Sequence, residues 1–276
     1  MLPIRASLHA DSIGVSAENP IPPKIWIPSS AQFCMSSEVP TWKMYGNLSS
    51  LNTLDKVIKF SKSKEIKGGR LIYCPPNTLI SSFSKKFSNC QIGIGGQNCH
   101  ESKDYGAHTG YVNSRMLKNI GAHFVIIGHS ENREQGESDK LINLKIKSAL
   151  EAKLKVIFCI GETLSEKRKK KTRSTLSKQI KIGLKNIKNK SNIFLAYEPV
   201  WAIGSGLIPK PQDLFKTVEF IKSKFKDKLP KILYGGSVNP QNITILRKIN
   251  NIDGFLIGGA SQNAKKFIDI VKKTYS

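Results

Sequence analysis

A histidine and a glutamate stand where two buried strands are predicted to end. His129 follows the apolar run Phe124–Ile127 after one glycine, and Glu198 directly follows the run Ile193–Tyr197. An imidazole at such a position can exchange protons with a carbonyl or hydroxyl oxygen. A carboxylate at the end of a buried strand is costly unless it serves a purpose, so Glu198 is predicted to be a general base. The alternatives are a structural histidine and a glutamate that forms an internal ion pair.

The residues after Glu198 predict a lid over this site. They form an apolar stretch that includes a tryptophan and an isoleucine and is closed by two glycines. Proline at one end and glycines at the other could act as hinges for a loop that excludes water. The alternative is a static loop packed on its neighbour. The lid residues are Pro199, Val200, Trp201, Ala202, Ile203, Gly204, Ser205 and Gly206.

Two glycine pairs after the last two predicted strands indicate a phosphate site. Gly235-Gly236 precedes Ser237, and Gly258-Gly259 precedes Ala260-Ser261. Glycine lets a ligand approach the backbone closely, and N–H groups at the start of a helix bind anions. Neither pair is specific alone, but together at these two strand ends they favour a phosphorylated substrate. Lys43, near the end of a first strand, would supply a cation at the same edge.

The composition excludes several other classes of protein. There are 44 Lys plus Arg against 20 Asp plus Glu, a formal net charge of +24, but the excess is spread along the chain. The compact run Lys167–Lys171 is interpreted as a solvated helix entrance, and we do not expect nucleic-acid binding to be the main role. No apolar run approaches the roughly 18 residues that cross a bilayer, so no membrane association is expected.

The five cysteines argue against a disulfide framework and against a cysteine metal site. They are odd in number and widely spaced, and none forms a C-x-x-C pair. We therefore expect a reducing compartment and no bound metal.

The elements that must position these residues alternate along the chain from about residue 41. Short β-rich runs alternate with longer amphipathic stretches, the arrangement of a parallel sheet covered by helices. The predicted strands are Leu71–Cys74, Ile92–Ile94, Phe124–Ile127, Val156–Ile160, Ile193–Tyr197, Ile232–Tyr234 and Phe255–Ile257. The predicted helices are Leu48–Lys62, Asn77–Lys86, Asn113–Asn119, Ser138–Lys153, Thr172–Lys188, Pro211–Lys226, Pro240–Lys248 and Asn263–Lys273.

One further strand before Trp42 brings the count to eight βα units. Eight units predict an α/β fold of the closed (β/α)₈ barrel type rather than an open doubly wound sheet. In such a barrel the active site lies at the C-terminal ends of the strands. The segment Ser138–Lys153 is predicted to be a helix because Leu141, Leu144, Ile146 and Leu150 fall near a helical stripe, with lysines on the other side.

Residues 1–38 differ in kind from the rest of the chain. They contain several prolines and many serines and show no sustained periodicity. The sequence predicts an atypical, poorly ordered N-terminal extension over 1–38 and a barrel domain over 39–276. Glu38 and Pro40 are poor choices for a central strand, because proline lacks the N–H donor and a buried glutamate needs a partner. The segment near Met35–Trp42 is nevertheless predicted to fill the first strand position.

Six motifs in order at the strand ends resemble the triosephosphate isomerase family. The resemblance extends from about residue 41 to the C terminus. Its motifs are Trp42-Lys43-Met44, Ile127-Gly128-His129-Ser130-Glu131, Cys159-Ile160-Gly161-Glu162-Thr163-Leu164, Ala196-Tyr197-Glu198-Pro199-Val200-Trp201-Ala202-Ile203-Gly204, Tyr234-Gly235-Gly236-Ser237-Val238 and Asp253-Gly254-Phe255-Leu256-Ile257-Gly258-Gly259-Ala260-Ser261.

The resemblance implies a TIM barrel with a defined reaction. The expected activity is the cofactor-free interconversion of dihydroxyacetone phosphate and D-glyceraldehyde 3-phosphate through an enediolate, a step of glycolysis and gluconeogenesis. The chemistry of this family pairs a glutamate base with a neutral histidine. By resemblance, Glu198 is the base, His129 protonates the oxygens, Lys43 stabilises their negative charge, and Glu131 supports Lys43 and His129.

The remaining implications concern binding and assembly. Thr41, Gly204, Ser237, Gly258 and Gly259 would contact the substrate or its phosphate. Thr41 is a departure, because the family has an asparagine there. A homodimer is implied through the loop from Gln97 to Gly110, and a cytoplasmic location is expected, with organelle targeting by residues 1–38 as the alternative.

Two other functions are compatible with parts of the sequence. One is a different phosphate-binding barrel, which the lid motif and the Gly-His-Ser-Glu turn do not favour. The other is a catalytically impaired barrel that acts as a basic binding protein, which the charge and Thr41 suggest.

Overall fold

The computed structural model describes residues 36–63, 66, 69–226 and 229–276, all within the unit Gln32–Ser276. The eight strands among these residues are parallel, and each pairs with the next until the last pairs with the first, which closes the barrel. The predicted fold class is therefore confirmed. The strands are β1 Ser37–Pro40, β2 Arg70–Tyr73, β3 Ile92–Gly96, β4 Phe124–Ile127, β5 Lys155–Ile160, β6 Ile193–Tyr197, β7 Lys231–Tyr234 and β8 Gly254–Ile257.

Helices follow the strands and cover the outside of the barrel. The α-helices in the described part are α1 Leu54–Ser61, α2 Ile80–Lys86, α3 Ser114–Asn119, α4 Ser130–Glu134, α5 Asp139–Glu151, α6 Leu164–Arg168, α7 Thr172–Gly183, α8 Pro211–Lys222, α9 Ile243–Leu246 and α10 Ala264–Tyr275. Short 3₁₀ helices occur at Leu48–Thr53, Asn77–Leu79, Val200–Ala202 and Gly259–Gln262. The eight predicted helices are all present, but α4 and α6 are single turns that the sequence pattern did not predict.

The alternation of side chains along each strand divides the core into two layers. Inside the barrel, one cluster includes Val39, Ile72, Ile126, Ile157 and Leu233. The intervening residues point outward into a larger layer between the strands and the helices. This arrangement follows from the period of two in a β-strand, and it makes the strand ends the places where polar side chains reach the open mouth of the barrel.

The first strand is present although its residues are poor strand formers. β1 pairs with β8 along its full length and with β2 at Ser37 and Glu38. Pro40 has no N–H, but its carbonyl oxygen accepts a hydrogen bond from Cys74 N at 2.8 Å, so β2 stays attached. Because the strand begins at Ser37, the last two residues assigned to the extension belong to the barrel. Residues 1–35 of that predicted extension lie outside the described residues.

The buried Glu38 obtains its partners from the end of the chain. Ser36 Oγ donates to Glu38 Oε1 at 2.6 Å, and the Tyr275 hydroxyl donates to Oε2 at 2.6 Å. The Tyr275 hydroxyl also lies 3.0 Å from Ser36 O. Burial nevertheless dominates and raises the pKa of Glu38 to about 7, while the two hydrogen bonds lower it.

This raised pKa predicts a pH-dependent stability. Between pH 4.5, where the carboxyl ionises when unfolded, and about pH 7, where it ionises when folded, the folded state holds the extra proton. The free energy of unfolding should therefore fall as pH rises through this window, by about 3 kcal/mol in total. In Glu38→Gln this contribution should be absent, as chemical denaturation from pH 4.5 to 8 would test. The exposed Glu134→Gln is the control, and parallel pH curves for Glu38→Gln and the unchanged chain would contradict the prediction.

The buried face of α5 differs from the predicted stripe. Ile142, Ile146 and Ala149 are fully buried, whereas Leu144 is 50% exposed. Lys145, expected on the solvent side, is buried because it forms an ion pair with Glu137. The helix itself was predicted well, with Ser138 as its N-cap: Ser138 Oγ accepts from Leu141 N at 3.2 Å.

Over the described ranges, every helix is too short or too polar to traverse a lipid bilayer.

Candidate active site

The predicted site residues meet at one end of the barrel because they follow the C-terminal ends of parallel strands. Lys43 lies beyond β1, His129 beyond β4 and Glu198 directly after β6. Together with Thr41, Gly204, Gly206, Ser237, Gly258 and Gly259 they line one open cavity. Glu131 lines a smaller cavity beside it, which also contacts Thr41, Lys43 and His129.

His129 is held by the backbone at the start of α4. It is the N-cap residue, and its Nδ1 accepts a hydrogen bond from Glu131 N at 3.3 Å. A nitrogen that accepts carries no proton, so in the neutral ring the proton is assigned to Nε2. That Nε2 faces the cavity and lies 3.4 Å from Glu198 Oε1. The imidazole is therefore oriented with a proton donor toward the glutamate and the open space.

Glu198 is a buried carboxylate with one oxygen uncommitted. The residue is 2% exposed, and its Oε2 has no hydrogen-bond partner among the described residues. Burial raises the pKa of this carboxyl, while hydrogen bonds from Ser130 N–H and Cys159 Sγ and the charge of Lys43 lower it. A carboxylate made more basic by desolvation is suited to remove a proton.

A glycine makes room for this carboxylate. A Cβ at Gly235, after β7, would come within 2.7 Å of Glu198 Cγ and 3.3 Å of Oε1. Any larger residue would therefore displace the glutamate. Gly235 N also donates to Tyr197 O at 2.9 Å, which fixes the neighbouring strand end.

Lys43 is turned toward the cavity by an unusual backbone conformation. Its φ of +52° lies in the left-handed region, which is uncommon for a residue with a side chain. The preceding Trp42 is buried against Phe83, with ring centroids 5.1 Å apart. Lys43 Nζ lies 2.5 Å from Glu131 Oε1, and the Lys43 side chain passes near Gly258. The Lys43 ammonium group therefore lies between Glu131, near His129, and Gly258, which follows β8.

Thr41 forms part of the barrel wall. Its backbone N donates to Ile257 O at 2.9 Å, and the residue is buried next to both cavities. No side-chain hydrogen bond of Thr41 is present in the described structure. Its position is compatible with substrate contact, but its short side chain reaches less far than an amide.

The predicted lid is folded over the β7 end of the cavity. Val200–Ala202 form a 3₁₀ turn, and Gly204 and Gly206 have φ of +68° and +75°. Ser237 Oγ donates to Ala202 O at 2.6 Å and accepts from Gly206 N at 3.1 Å. Ser237, predicted as a phosphate contact, therefore also holds two points of the lid. Ile203 and the two glycines face the cavity.

The sequence interpretation missed several residues that support the site. Arg133 Nε donates to Gly128 O at 2.7 Å and its Nη2 donates to Cys159 O at 3.0 Å, which ties the ends of β4 and β5. Glu162, buried after β5, accepts from Trp201 Nε1 at 2.9 Å. Glu162 and Cys159 stand within a strand-end motif of the sequence, and this position was the available signal. Arg133 gave none, because its partners, two backbone carbonyls and Asp139 Oδ1 at 2.7 Å, form no motif in the sequence.

Comparisons with known proteins show that the chain belongs to the triosephosphate isomerase family. The profile of a family described as triosephosphate isomerase matches residues 39–274. The triosephosphate isomerase of Mesorhizobium japonicum is 40% identical over 238 residues, which cover 84% of this chain and 93% of the relative. The Thermodesulfovibrio yellowstonii triosephosphate isomerase is 40% identical over 243 residues, covering 85% of this chain and 97% of the relative. A crystal structure of triosephosphate isomerase from Bartonella henselae superimposes with a TM-score of 0.80 at 35% identity and covers 87% of this chain and 99% of that chain.

Proposed function

Because the chain belongs to the triosephosphate isomerase family and so interconverts dihydroxyacetone phosphate and D-glyceraldehyde 3-phosphate, we propose that Glu198 and His129 carry out its proton transfers. The observation that carries this proposal is the facing pair itself: Glu198 Oε1 and His129 Nε2 lie 3.4 Å apart, both largely buried, at the mouth of the barrel. The reaction is a step of glycolysis.

The proton path follows from the two orientations. The Glu198 carboxylate removes a proton from the carbon next to the substrate carbonyl, and the electron pair moves onto the carbonyl oxygen. Neutral His129 donates its Nε2 proton to that oxygen and takes up the hydroxyl proton of the neighbouring oxygen, so the negative charge of the enediolate moves to the second oxygen. Glu198 then returns its proton to the former carbonyl carbon, and the second oxygen becomes the new carbonyl, which completes the exchange of aldehyde and ketone and regenerates both side chains. The balance needs no external reductant or oxidant, since one carbon is reduced while its neighbour is oxidised.

The charged groups around the pair have separate roles in this proposal. Lys43 stabilises the negative charge on the enediolate oxygens, and Glu131 holds Lys43 through their 2.5 Å contact. The backbone near Gly204, Ser237, Gly258 and Gly259 binds the phosphate, and Lys43 adds to its electrostatic attraction. The lid Pro199–Gly206 excludes water from the intermediate.

A coupled assay in both directions tests the proposal. Purified protein should convert each triose phosphate into the other, and the reaction in heavy water should place deuterium on the carbon that was reprotonated. A nucleic-acid retention assay at moderate salt examines the basic binding protein that the sequence left open; no comparison or site geometry favours it. Retention without isomerisation would overturn the proposal.

Position 41 offers a test of how the substrate is held. Thr41→Asn should lower KM by about two- to ten-fold, because an amide extends farther into the cavity and one neutral hydrogen bond contributes about 0.5–1.5 kcal/mol. Thr41→Val, which has a similar volume, is the control and should not improve KM. Steady-state kinetics with both variants measure this, and an unchanged or higher KM for Thr41→Asn would contradict the expected contact.

We also propose a homodimer through the loop from Gln97 to Gly110. Its Tyr105 is 62% exposed, and Met44 beside the smaller cavity is 95% exposed. Large apolar side chains left in water are suited to an interface. Sedimentation equilibrium should find a dimer, and Tyr105→Lys should weaken it by burying a charge, whereas a control Leu207→Lys directly after the lid should not. A monomer at micromolar concentration would contradict this assembly.

We propose that the enzyme is cytoplasmic. We also propose that its isomerase domain is the barrel predicted over residues 39–276, with Ser37 and Glu38 added because they belong to β1. The family match over residues 39–274 supports the boundary.

A further inference from the structure

Lys167 belongs to the basic run that the sequence analysis interpreted as a solvated helix entrance. The run does precede α7, and its lysines are exposed. Lys167 differs from its neighbours, however, because its Nζ lies 3.2 Å from the centroid of the Trp201 ring. A cation at that distance over an indole face is attracted by the ring quadrupole. One lysine of the run therefore contacts the lid.

The indole of Trp201 is held from two directions by one segment. Its Nε1 donates to Glu162 Oε1 at 2.9 Å, while Lys167 covers its face. The Tyr197 hydroxyl also donates to Glu162, at 3.1 Å to Oε2. Both contacts to the indole come from the loop and single-turn helix that follow β5.

This segment is itself rigidly built. Thr163 and Glu166 form a reciprocal capping box at the start of α6, with Thr163 N to Glu166 Oε2 at 2.8 Å. Glu166 Oε1 also accepts from Thr175 Oγ1 at 3.0 Å, which joins α6 to α7. The ammonium of Lys167, one residue after Glu166, is therefore presented from a fixed turn.

The two ends of the lid differ in their freedom. The amino-terminal end carries Trp201, whose indole is held by Glu162 and Lys167. The distal end contains Gly204 and Gly206, around which a Cβ would meet nothing within 4 Å, and Gly206 N donates to Ser237 Oγ at 3.1 Å. Because the amino-terminal end is held by more contacts, it sets the direction in which the distal end closes.

We propose that Lys167 is a positioning residue of the isomerase, whose ammonium group over the Trp201 ring anchors the amino-terminal end of the lid so that the distal end closes in one orientation. This inference rests on the proposed function of Pro199–Gly206 as a lid. Glu162, which accepts the hydrogen bond from the Trp201 indole, is buried. Burial raises the pKa of its carboxyl, and the charge of Lys167 lowers it.

The kinetic test compares three variants. Lys167→Met keeps the length of the side chain but removes the charge, so kcat should fall about two- to five-fold, equivalent to about 0.5–1 kcal/mol, with little change in KM. Lys167→Arg should restore kcat, because a guanidinium also stacks on an indole. Lys169→Met removes one charge from the same run without contacting Trp201 and should leave kcat unchanged.

A spectroscopic readout separates lid anchoring from a general structural effect. In protein labelled with ¹⁵N-tryptophan, the indole N–H resonance of Trp201, assigned with Trp201→Phe, should shift when sn-glycerol 3-phosphate is added. It should be displaced in Lys167→Met before addition and unaffected in Lys169→Met. If Lys167→Met and Lys169→Met have the same kcat and the same Trp201 resonance, the proposed role of Lys167 is wrong, whereas the proposed function of the lid is unaffected. No shift in the unchanged protein on saturation would overturn the lid proposal together with this inference.

Discussion

Replacing His129 with glutamine is expected to lower kcat by about 10²–10⁴-fold, the scale on which positioned general acid–base groups contribute. The amide of glutamine can still donate a hydrogen bond near the position of Nε2, but it cannot release and regain a proton at neutral pH. The expected loss therefore measures proton transfer. Because His129 also caps α4 through its 3.3 Å contact with Glu131 N, the thermal midpoint should be recorded beside the kinetics.

His123→Gln is the matched control, since His123 lies just before the opposite end of β4 and away from the cavity. That variant should retain normal kcat. Turnover within about ten-fold of the unchanged enzyme for His129→Gln would remove His129 from its proposed role.

Glu198→Asp is expected to reduce kcat by about a hundredfold while the fold is retained. The shorter side chain withdraws the carboxylate by about one methylene, and a misplacement of about 1 Å can cost this much in rate. The environment cannot compensate, because Gly235 packs against the Glu198 side chain and Gly161 packs against its backbone, which leaves the strand no room to advance. KM should change little, since the phosphate contacts remain.

The exposed Glu134→Asp serves as the control for the same chemical change. Steady-state kinetics and the rate of deuterium incorporation from heavy water should fall together for Glu198→Asp. If isomerisation slows while deuterium exchange does not, proton removal belongs to another group.

Much of the fold, and the position of His129 and Glu198 at one end of the barrel, could be predicted from the sequence. The β-rich runs are bounded by turns and alternate with amphipathic stretches, so the strands follow from local composition, and their number indicates the closed barrel. His129 and Glu198 could be identified as candidates because a parallel sheet brings the C-terminal ends of its strands to one edge. Polar residues that follow apolar runs at this edge are the usual positions of active-site side chains. The contacts of these residues with each other were not evident from spacing, since 69 positions separate them along the chain.

Helices of a single turn could not be predicted from hydrophobic periodicity. α4 and α6 have five residues each, too few to repeat an amphipathic pattern, yet they carry Glu131 and Lys167. On α5 the stripe was predicted correctly at Ile146 but wrongly at Leu144, and hydrophobicity alone does not show that Lys145 pairs with Glu137 inside the protein.

The sequence by itself determined the alternation of strands and helices, the polar residues at the strand ends and the glycines that leave space there. These features depend on neighbours within a few residues. Only the tertiary structure decided that Tyr275 completes the hydrogen bonds of Glu38 across 237 positions, and that Lys167 lies over Trp201. Closure of the barrel brings such distant groups together. The cost of burying an unpartnered carboxyl then favours the contact of Glu38 with Tyr275, and the indole face of Trp201 attracts the exposed ammonium group of Lys167.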